Sequence, residues 1–282
     1  MRATVLVPAP DYPEAWDWAY DVEAAALRRG GFEVEARPWT DPNAVDESDL
    51  VLPLVAWGYH LDPARWHALL DRLERERVPT FNPVPLLRWN SDKRYLAELA
   101  GQGLPVVPTR LVEATDETAL AHARADFGET LVIKPPVSAA ADGTHLLGPS
   151  DPLPNSARGQ PMMVQPFLPS VADEGEYSLL LFDGAFSHAI VKRPKPGDYR
   201  VQPHLGGREE PCPAPDGAIE IAHAALAAAP AAAAYARVDL VRGLDGKLAV
   251  MELELIEPSL WLDHAPDGGA SFAAAIAKRA GK

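Results

Sequence analysis

Near its C-terminus the chain reads RVDLVRGLDGKLAVMELE, from Arg237 to Glu254. Alternating apolar residues flank the pair Asp245-Gly246, and this dipeptide between two such runs predicts a hairpin with a two-residue turn. If the strands pair back from that turn, Asp239 lies opposite Glu252 and Arg237 lies opposite Glu254. Because alternate strand residues point to the same side, all four charged side chains share one face of the sheet.

Two carboxylates that face each other across a strand pair, here Asp239 and Glu252, destabilise the pair unless something compensates their charge. A divalent cation would do so, and oxygen ligands without His or Cys indicate Mg²⁺ rather than zinc. The alternative is an ordinary hairpin with its acids in solvent, which is the more common meaning of so short a motif. The remainder of the chain has to decide between the two.

The composition excludes several classes of function. Hydrophobic residues make up 47% of the 282 residues, as in ordinary globular proteins, and the formal net charge of −14 argues against nucleic acid or an anionic membrane as a partner. The single Cys212 allows no internal disulfide and fits a reducing compartment. No signal-peptide pattern and no apolar run near the ~20 residues that span a bilayer is present. We therefore expect a cytoplasmic protein, and whether it forms a homo-oligomer stays open.

The order of the apolar patterns predicts three lobes. Strands and helices alternate through residues 1–88, which is typical of a parallel α/β lobe. Residues 89–168 have the pattern of a smaller α+β lobe that begins with a helix capped at Asn90-Ser91-Asp92. A second Asp-Gly hairpin, at Asp183-Gly184, predicts that residues 169–282 form an antiparallel sheet with helices.

Three features of the middle lobe suit a phosphate group. Lys93 lies in the first turn of the predicted helix, and Lys134 ends the apolar strand Leu131–Lys134 directly before a loop, where its charge can reach a phosphate. The small residues of the loop Val137–Thr144 leave backbone N–H groups free to surround phosphate oxygens. Taken singly, such lysines are usually solvated and such loops are usually plain turns.

In this order the motifs resemble the ATP-grasp superfamily of carboxylate–amine ligases. The matching segments, within about residues 80–262, are Ser91-Asp92-Lys93, Val132-Ile133-Lys134-Pro135, Val164–Leu168, Tyr177–Gly184, Arg193, Arg200, Gly206-Gly207, Asp239 and Glu252–Glu254. The chain is most similar to glutathione-synthetase-like members, and among them to the cycloserine-biosynthesis ligases that close O-ureidoserine into a ring. This resemblance implies an α/β and α+β fold with an N-terminal parallel α/β lobe, a small α+β lid lobe and a C-terminal antiparallel-sheet lobe.

The resemblance also implies an activity in antibiotic biosynthesis. An ADP-forming ligase would activate the carboxylate of a small, amino-acid-like substrate as an acyl phosphate, which a nitrogen nucleophile then attacks to form an amide-like bond. ATP and two Mg²⁺ ions are the implied cofactors. A glutathione-synthetase-like or peptide ligase and a non-catalytic ATP-binding regulatory protein are the alternatives. A nicotinamide dinucleotide site is excluded, because Val7–Asp11 lacks the glycine-rich turn that it requires.

Site roles follow from the same resemblance. The implied ATP-binding residues are Lys93, Lys134, Ser138, Gln165, Pro166, Phe167, Leu168, Asp173 (or Glu174, for the ribose) and Lys192. The implied metal ligands are Asp239, Glu252 and Glu254. Relatives usually carry Asn in place of Glu254, which could instead pair with Arg237. Arg193 and Arg200 would hold the substrate carboxylate or the acyl phosphate, and Gly206 and Gly207 would let the backbone approach the substrate closely.

We expect substrate selectivity to come from the N-terminal lobe. Trp57-Gly58-Tyr59-His60 follows a predicted parallel strand, Leu50–Trp57, at the edge where open α/β sheets bind ligands. Tyr59 and His60 are therefore candidate pocket residues, although core packing explains such aromatic residues equally well. No histidine is singled out by its sequence context as a general base.

Overall fold

The computed structural model describes residues 1–281, which form three sheets. The first is a parallel sheet of order β2-β1-β3, built from β1 (Arg2–Val7), β2 (Glu33–Pro38) and β3 (Leu50–Leu52). Its helices are α1 (Asp17–Arg29) and α2 (Pro63–Glu76), and the side chain of Asp62 caps α2 by accepting from the main-chain N–H of Arg65 at 3.1 Å. The predicted parallel α/β lobe is confirmed.

The strand predicted at Leu50–Trp57 is shorter than expected. It ends at Leu52, because Pro53 has no N–H to continue the ladder. Leu54, Val55 and Ala56 are nevertheless buried in a turn, so the apolar run reports burial correctly and its backbone conformation incorrectly. The chain past this turn carries Trp57–His60 to the edge of the sheet.

Two short helices, α3 (Val84–Asn90) and α4 (Tyr95–Gly101), connect the first sheet to the others. The predicted helix start at Asn90-Ser91-Asp92 is wrong, since Asn90 ends α3. Its buried side-chain amide instead donates to the carbonyl of Leu253 at 2.8 Å and accepts from the N–H of Leu255 at 2.9 Å. Both bonds fasten α3 to the last strand of the third sheet.

The second sheet is antiparallel and small. Its strands are β4 (Arg110–Val112), β5 (Leu131–Lys134), β6 (His145–Leu147) and β7 (Met162–Pro166), in the order β4-β7-β5-β6. Helix α5 (Glu117–Phe127) covers one face and is capped by Asp116, which accepts from the N–H of Ala119 at 2.7 Å. Leu120 of the helix and Ile133 of the sheet share one buried cluster.

The third sheet is antiparallel, with the order β10-β9-β8-β11-β12. Its strands are β8 (Glu176–Phe182), β9 (Ala185–Arg193), β10 (Arg208–Cys212), β11 (Tyr235–Arg242) and β12 (Leu248–Glu254). The accompanying helices are α6 (Ser170–Asp173), α7 (Ala218–Ala227) and α8 (Ala270–Arg279). Within residues 1–281 no helix is both long and apolar enough to cross a bilayer.

Helix α8 belongs spatially with the beginning of the chain. Phe272 and Ile276 of α8 share a buried cluster with Val5 of β1 and Leu27 of α1. Gly30, directly after α1, lies so close to α8 that a Cβ there would be 2.9 Å from the Cβ of Ala273. The last helix therefore completes the core of the first lobe. Lys282, the end of the predicted third lobe, lies outside the described residues.

The hairpin of β11 and β12 has the predicted facing pairs but a different turn. Asp239 pairs with Glu252 and Arg237 with Glu254, which confirms the expected register at the charged residues. The turn is longer than two residues, because the N–H of Gly243 donates to the carbonyl of Lys247 at 2.8 Å. A bulge between Asp239 and Leu240 then shifts the register by one residue, and the two differences cancel.

Candidate active site

A cleft of about 330 Å³ lies where the three lobes meet, and all three contribute to its walls. The second sheet supplies residues from β5 and β7 together with the loop after β5. The third sheet supplies the charged face of β11 and β12. The first lobe closes one end with the residues that follow β1 and β3. The cleft therefore lies between the two antiparallel sheets and reaches the parallel sheet at one end.

Asp239 is the buried centre of the cleft floor, with only 1% of its surface exposed. Its carboxylate accepts from Ser178 Oγ at 2.6 Å, from Lys192 Nζ at 2.9 Å and from Arg237 Nε at 3.1 Å. Burial alone raises the pKa of Asp239, but the Arg237 and Lys192 cations outweigh burial and hold that pKa well below its usual range. Asp239 is therefore an anion at every physiological pH.

Lys192 joins Asp239 to a residue that the sequence did not reveal, Glu176 of β8. Lys192 Nζ lies 2.5 Å from Glu176 Oε1. Burial works against the ammonium group, yet Asp239 and Glu176 raise the pKa of Lys192 above its ordinary value. Burial raises the pKa of Glu176, and Lys192 opposes this rise. The two carboxylates thus hold one lysine charged inside the cleft.

Arg237 is also fixed in the cleft. Its guanidinium pairs with Asp239 and with Glu254, and its Cζ lies 5.0 Å from the centre of the Trp261 ring. The alternative pairing of Glu254 with Arg237 is therefore observed. Burial raises the pKa of Glu254 to about 8, although Arg237 acts in the opposite direction.

The two lysines of the middle lobe both line the cleft. Lys93 Nζ lies 3.0 Å from Glu252 Oε1 and also donates to the carbonyl of Ser138, while its main-chain N–H donates to the carbonyl of Pro136 at 2.8 Å. Lys134 is buried, and Met251 Sδ lies 4.0 Å from its Nζ. Burial lowers the pKa of Lys134. Among residues 1–281 no carboxylate forms an ion pair with Lys134. The charge of this buried ammonium group is therefore not compensated by a direct partner in the described chain.

The part of the cleft wall beside Lys134, here called the slot, is mostly apolar. The residues that line it from the end of β7 are those predicted to read the base, namely Gln165, Pro166, Phe167 and Leu168. Gln165 is buried and donates from Nε2 to Thr109 Oγ1 at 2.8 Å. Asp173 is exposed and lies outside the cleft, and Glu174 pairs with Arg242 at 2.8 Å. The structure therefore brings neither predicted ribose carboxylate into the cleft.

The structure also places Arg193 elsewhere. Lys192 and Arg193 are neighbours on β9 and point to opposite faces, so Arg193 faces away from the cleft and pairs with Glu210 at 3.2 Å. Arg200 does line the cleft, and its guanidinium is held by Asp198 with Nε 3.1 Å from Oδ1.

The conformation of the loop itself explains why Gly206 and Gly207 are glycines. A Cβ on Gly207 would lie 2.0 Å from the carbonyl oxygen of Val201, so glycine is needed there for the loop to close on itself. Gly206 has φ +92°, which disfavours residues with a Cβ. The close backbone approach expected at a substrate occurs within the loop that carries Arg200.

Tyr59 and His60 lie at the end of the cleft formed by the first lobe, as do Tyr12 and Trp57. Tyr59 is also packed in the core, with its ring centre 5.2 Å from that of Trp66. It is therefore both a residue of the cleft wall and a residue of the core. His60 Nδ1 is buried without a hydrogen-bond partner in the described chain, and burial lowers the pKa of His60.

Glu257 is a further cleft residue that the sequence analysis did not single out. Burial raises its pKa to about 7. Glu257 lies three residues after the end of β12. The sequence could have indicated it only if the charged strand had been followed beyond Glu254.

The carboxylates suit a hard cation by their chemistry. Glu252 and Glu254 line the cleft with one quarter of each side chain exposed. Within the described chain no three His, Cys, Asp or Glu side chains are assembled around one metal position. Lys93 and Arg237 hold these carboxylates instead. The donors therefore fit Mg²⁺ in type, and binding it requires them to exchange cationic side chains for the ion.

A cleft between two antiparallel sheets, with buried lysines and the carboxylates of β11 and β12 in its walls, is the arrangement expected of an ATP-grasp ligase, an ATP-using enzyme that forms carbon–nitrogen bonds. The family model of the N-terminal domain of D-cycloserine synthetase DcsG matches residues 4–82. The chain is 36% identical to the cycloserine biosynthesis protein DcsG of Streptomyces lavendulae over 277 residues, which cover 90% of this chain and 91% of the relative. It belongs to the DcsG family.

Two further comparisons agree with this membership. The crystal structure of D-cycloserine synthetase DcsG superposes with a TM-score of 0.84 at 32% identity, covering 99% of this chain and 100% of the other. A glutathione synthetase of Prochlorococcus marinus (strain MIT 9313) is 32% identical over 191 residues, 63% of this chain and 59% of the relative. The predicted resemblance to ATP-grasp, glutathione-synthetase-like ligases is confirmed.

Proposed function

We propose that the protein closes O-ureidoserine into the cycloserine ring with consumption of ATP. The observation that carries this proposal is the similarity to DcsG over nine tenths of the chain, including the first lobe, where Tyr12, Trp57, Tyr59 and His60 line the substrate end of the cleft. A shared ATP site would support any ATP-grasp ligase, whereas similarity in the substrate lobe supports a related substrate. The single half-buried Cys212 supports a reducing, cytoplasmic setting.

The proposed chemistry begins with transfer of the γ-phosphoryl group to the substrate carboxylate. The nitrogen bonded to the side-chain oxygen then attacks the activated carbon, a C–N bond forms, and the C–O bond to phosphate breaks. The ring contains the two carbons between carboxyl and oxygen, the carboxyl carbon, the oxygen and the nitrogen. Hydrolysis of the carbamoyl group by one water completes the conversion. Because nucleophile and electrophile are in one molecule, the enzyme's main task is to fold the substrate correctly.

Three lysines are proposed to hold the ATP phosphates. Lys134 is buried and forms no ion pair with a carboxylate of the described residues, and Lys93 and Lys192 each hold carboxylates that they can share with a phosphate. The slot at Gln165–Leu168 would take the adenine, and the carbonyl of Ser138, fixed by Lys93, would place the loop after β5 over the phosphates. Lysine ammonium groups at these points offset the charge of the transferring phosphoryl group.

Asp239, Glu252 and Glu254 are the proposed ligands of two Mg²⁺ ions. When bound, these ions would neutralise charge on the phosphoryl group and orient its oxygens. Arg200 and Arg237 are the proposed clamps for the substrate carboxylate, with Arg237 in the part first assigned to Arg193. Asp239 and Glu254 fix the guanidinium of Arg237, so it is preorganised for the developing negative charge.

ADP release and product analysis test this function. Purified protein with Mg-ATP is given O-ureidoserine, or γ-glutamylcysteine with glycine, or D-alanine, and products are identified by mass. We expect ADP release and cycloserine with O-ureidoserine alone. The Glu252→Gln variant should lose both, and Glu210→Gln, on the outer surface, should retain both. Release driven only by γ-glutamylcysteine with glycine would instead indicate a glutathione-synthetase-like enzyme.

A further inference from the structure

The carboxylates of the cleft differ in their partners. Asp239, Glu176, Glu252 and Glu254 each lie within ion-pair distance of a Lys or Arg. Glu257 lines the same cleft, and among the side chains that the structure describes no Lys, Arg or His forms an ion pair with it. Its carboxylate accepts from its own main-chain N–H. Among the described carboxylates of the cleft, Glu257 is therefore the half-buried one with neither an ion pair nor a hydrogen bond from another residue, since Glu14 is exposed and Glu209 accepts from Trp261 Nε1 at 2.9 Å.

The backbone of Glu257 is anchored at the substrate end. Its carbonyl oxygen accepts from Trp57 Nε1 at 3.2 Å, which ties the segment after β12 to the first lobe. Burial raises the pKa of Tyr59, and the charge of Glu257 adds to that rise, as it does for Tyr12. Both tyrosines line the cleft from the first lobe. Glu257 thus lies at the first-lobe end of the cleft, beside Trp57 and within electrostatic reach of Tyr59 and Lys93.

The surroundings of Glu257 keep it available as a proton acceptor near neutral pH. Burial raises its pKa to about 7, while Lys93 and Arg237 act to lower it. A general base works best when its pKa is close to the working pH. The charged and titratable groups that face it from the neighbouring elements are Tyr12, Tyr59, Lys93, Tyr235, Arg237, Glu252 and Glu254.

We propose that Glu257 is the general base of the ligation step, a role that presupposes the carboxylate activation proposed above. The attacking nitrogen forms its bond to the acyl carbon while its N–H proton passes to a carboxylate oxygen of Glu257. The bond between the acyl carbon and the phosphate oxygen breaks, and its electron pair leaves with phosphate. Glu257 then releases the proton to solvent as the product departs. No redox partner is needed.

The two halves of the reaction separate this role from others. Glu257→Gln keeps the shape of the side chain and removes the base. We expect ring closure to fall about 100-fold or more. Acyl phosphate formation should persist at the wild-type rate, measured by trapping with hydroxylamine as a hydroxamate, because hydroxylamine attacks without enzymatic help. Glu210→Gln, outside the cleft, is the matched control and should leave both halves unchanged.

The pH profile is the second readout. Wild-type kcat/KM for O-ureidoserine should fall as the pH falls through about 7, because protonated Glu257 cannot accept a proton. Glu257→Gln should lack this acidic limb, and Glu257→Asp should restore part of it. Unchanged ring closure in Glu257→Gln, a rise in KM alone, or loss of hydroxamate formation would each overturn the assignment. A wild-type enzyme that releases no ADP with the substrate overturns the proposed function, and this role with it.

Discussion

The two Asp-Gly hairpins of the third sheet reached their registers in opposite ways. In the hairpin of β8 and β9 the predicted two-residue turn is correct, since Phe182 pairs with Ala185 and Asp183 and Gly184 have φ +46° and +80°. A bulge between Leu180 and Leu181 then shifts the strands by one residue and places Glu176 opposite Lys192. Pairing back without the bulge would have placed Glu176 opposite Val191.

In the hairpin of β11 and β12 the turn is longer than predicted and a bulge restores the expected pairs. The comparison teaches that a turn signal determines register only up to the first bulge. Functional side chains beyond a bulge can be placed by sequence only by chance, as with Asp239 and Glu252, or missed, as with Glu176. The charge network of the cleft joins these two hairpins through Lys192.

The largest effect should follow from removing the carboxylate that both hairpins share. Asp239→Asn leaves the buried cations Lys192 and Arg237 with one counter-ion fewer, so we expect a loss of about 3–5 kcal/mol in the free energy of unfolding and loss of turnover. Urea denaturation and ADP release measure the two. Asp245→Asn, in the exposed turn of the same hairpin, should be nearly neutral. A fully stable Asp239→Asn protein would contradict the network.

Lys134 lies outside both hairpins and should behave differently. Lys134→Met should lower turnover by about 10²–10³-fold, as for loss of one group that stabilises transition-state charge. The free energy of unfolding without ATP should stay the same or rise, because the variant removes a buried cation that no carboxylate pairs with in the described chain. Lys192→Met serves as the contrast and should be less stable. Equal destabilisation of the two variants would count against the distinction.

The Glu176→Gln variant tests the contact between Glu176 and Lys192 that the bulge in the hairpin of β8 and β9 creates. Lys192 keeps Asp239 as a partner in this variant, and burial already favours the neutral form of Glu176, so we expect a cost of only about 1 kcal/mol. A double-mutant cycle with Asp239→Asn should give a coupling energy different from zero, since both carboxylates hold one lysine. Simple additivity would show that the two hairpins do not communicate through Lys192.

The smallest expected effect concerns the two turns. Asp183 accepts from Lys278 at 2.6 Å and Arg279 at 2.8 Å, and these bonds lower its pKa, whereas Asp245 accepts only within its own turn. A lowered folded-state pKa stabilises the fold above the unfolded-state pKa, and this stabilisation is lost as the pH falls. The Asp183→Asn substitution should therefore lower the free energy of unfolding by up to about 1 kcal/mol at pH 7 and leave it unchanged in acid. Thermal unfolding at the two pH values measures this difference. A pH-independent difference from Asp245→Asn would refute this.

Much of the fold followed from patterns that report local chemistry. The helices α1, α2 and α5 and the lysine at the end of β5 lie where apolar periodicity placed them, and the end of β7 lines the cleft, as the family resemblance implied. The misplaced elements have physical causes. Asn90 looked like a cap because its amide suits one, but it bonds to β12 across the lobes.

Residues of the candidate site could be predicted from the sequence only where the sequence also determined the direction of their side chains. Lys192 and Arg193 are adjacent basic residues, and only the strand's facing decides that the first enters the cleft and the second pairs outside with Glu210. Asp173 similarly depends on how the short helix α6 turns. Tyr12 and Glu257 are distant in sequence and meet at the cleft because the first lobe folds onto the end of β12. Such contacts arise from tertiary packing, which no local pattern encodes.

The position of α8 has a consequence for biosynthesis of the chain. Phe272 and Ile276 fill the core beside β1 and α1, so these two elements leave the ribosome before the helix that completes their core. The apolar surface of the first lobe that α8 covers stays exposed while the other two lobes are synthesised. The rate of translation between α1 and α8, and chaperones that shield nascent chains, should therefore influence how much of the chain folds correctly.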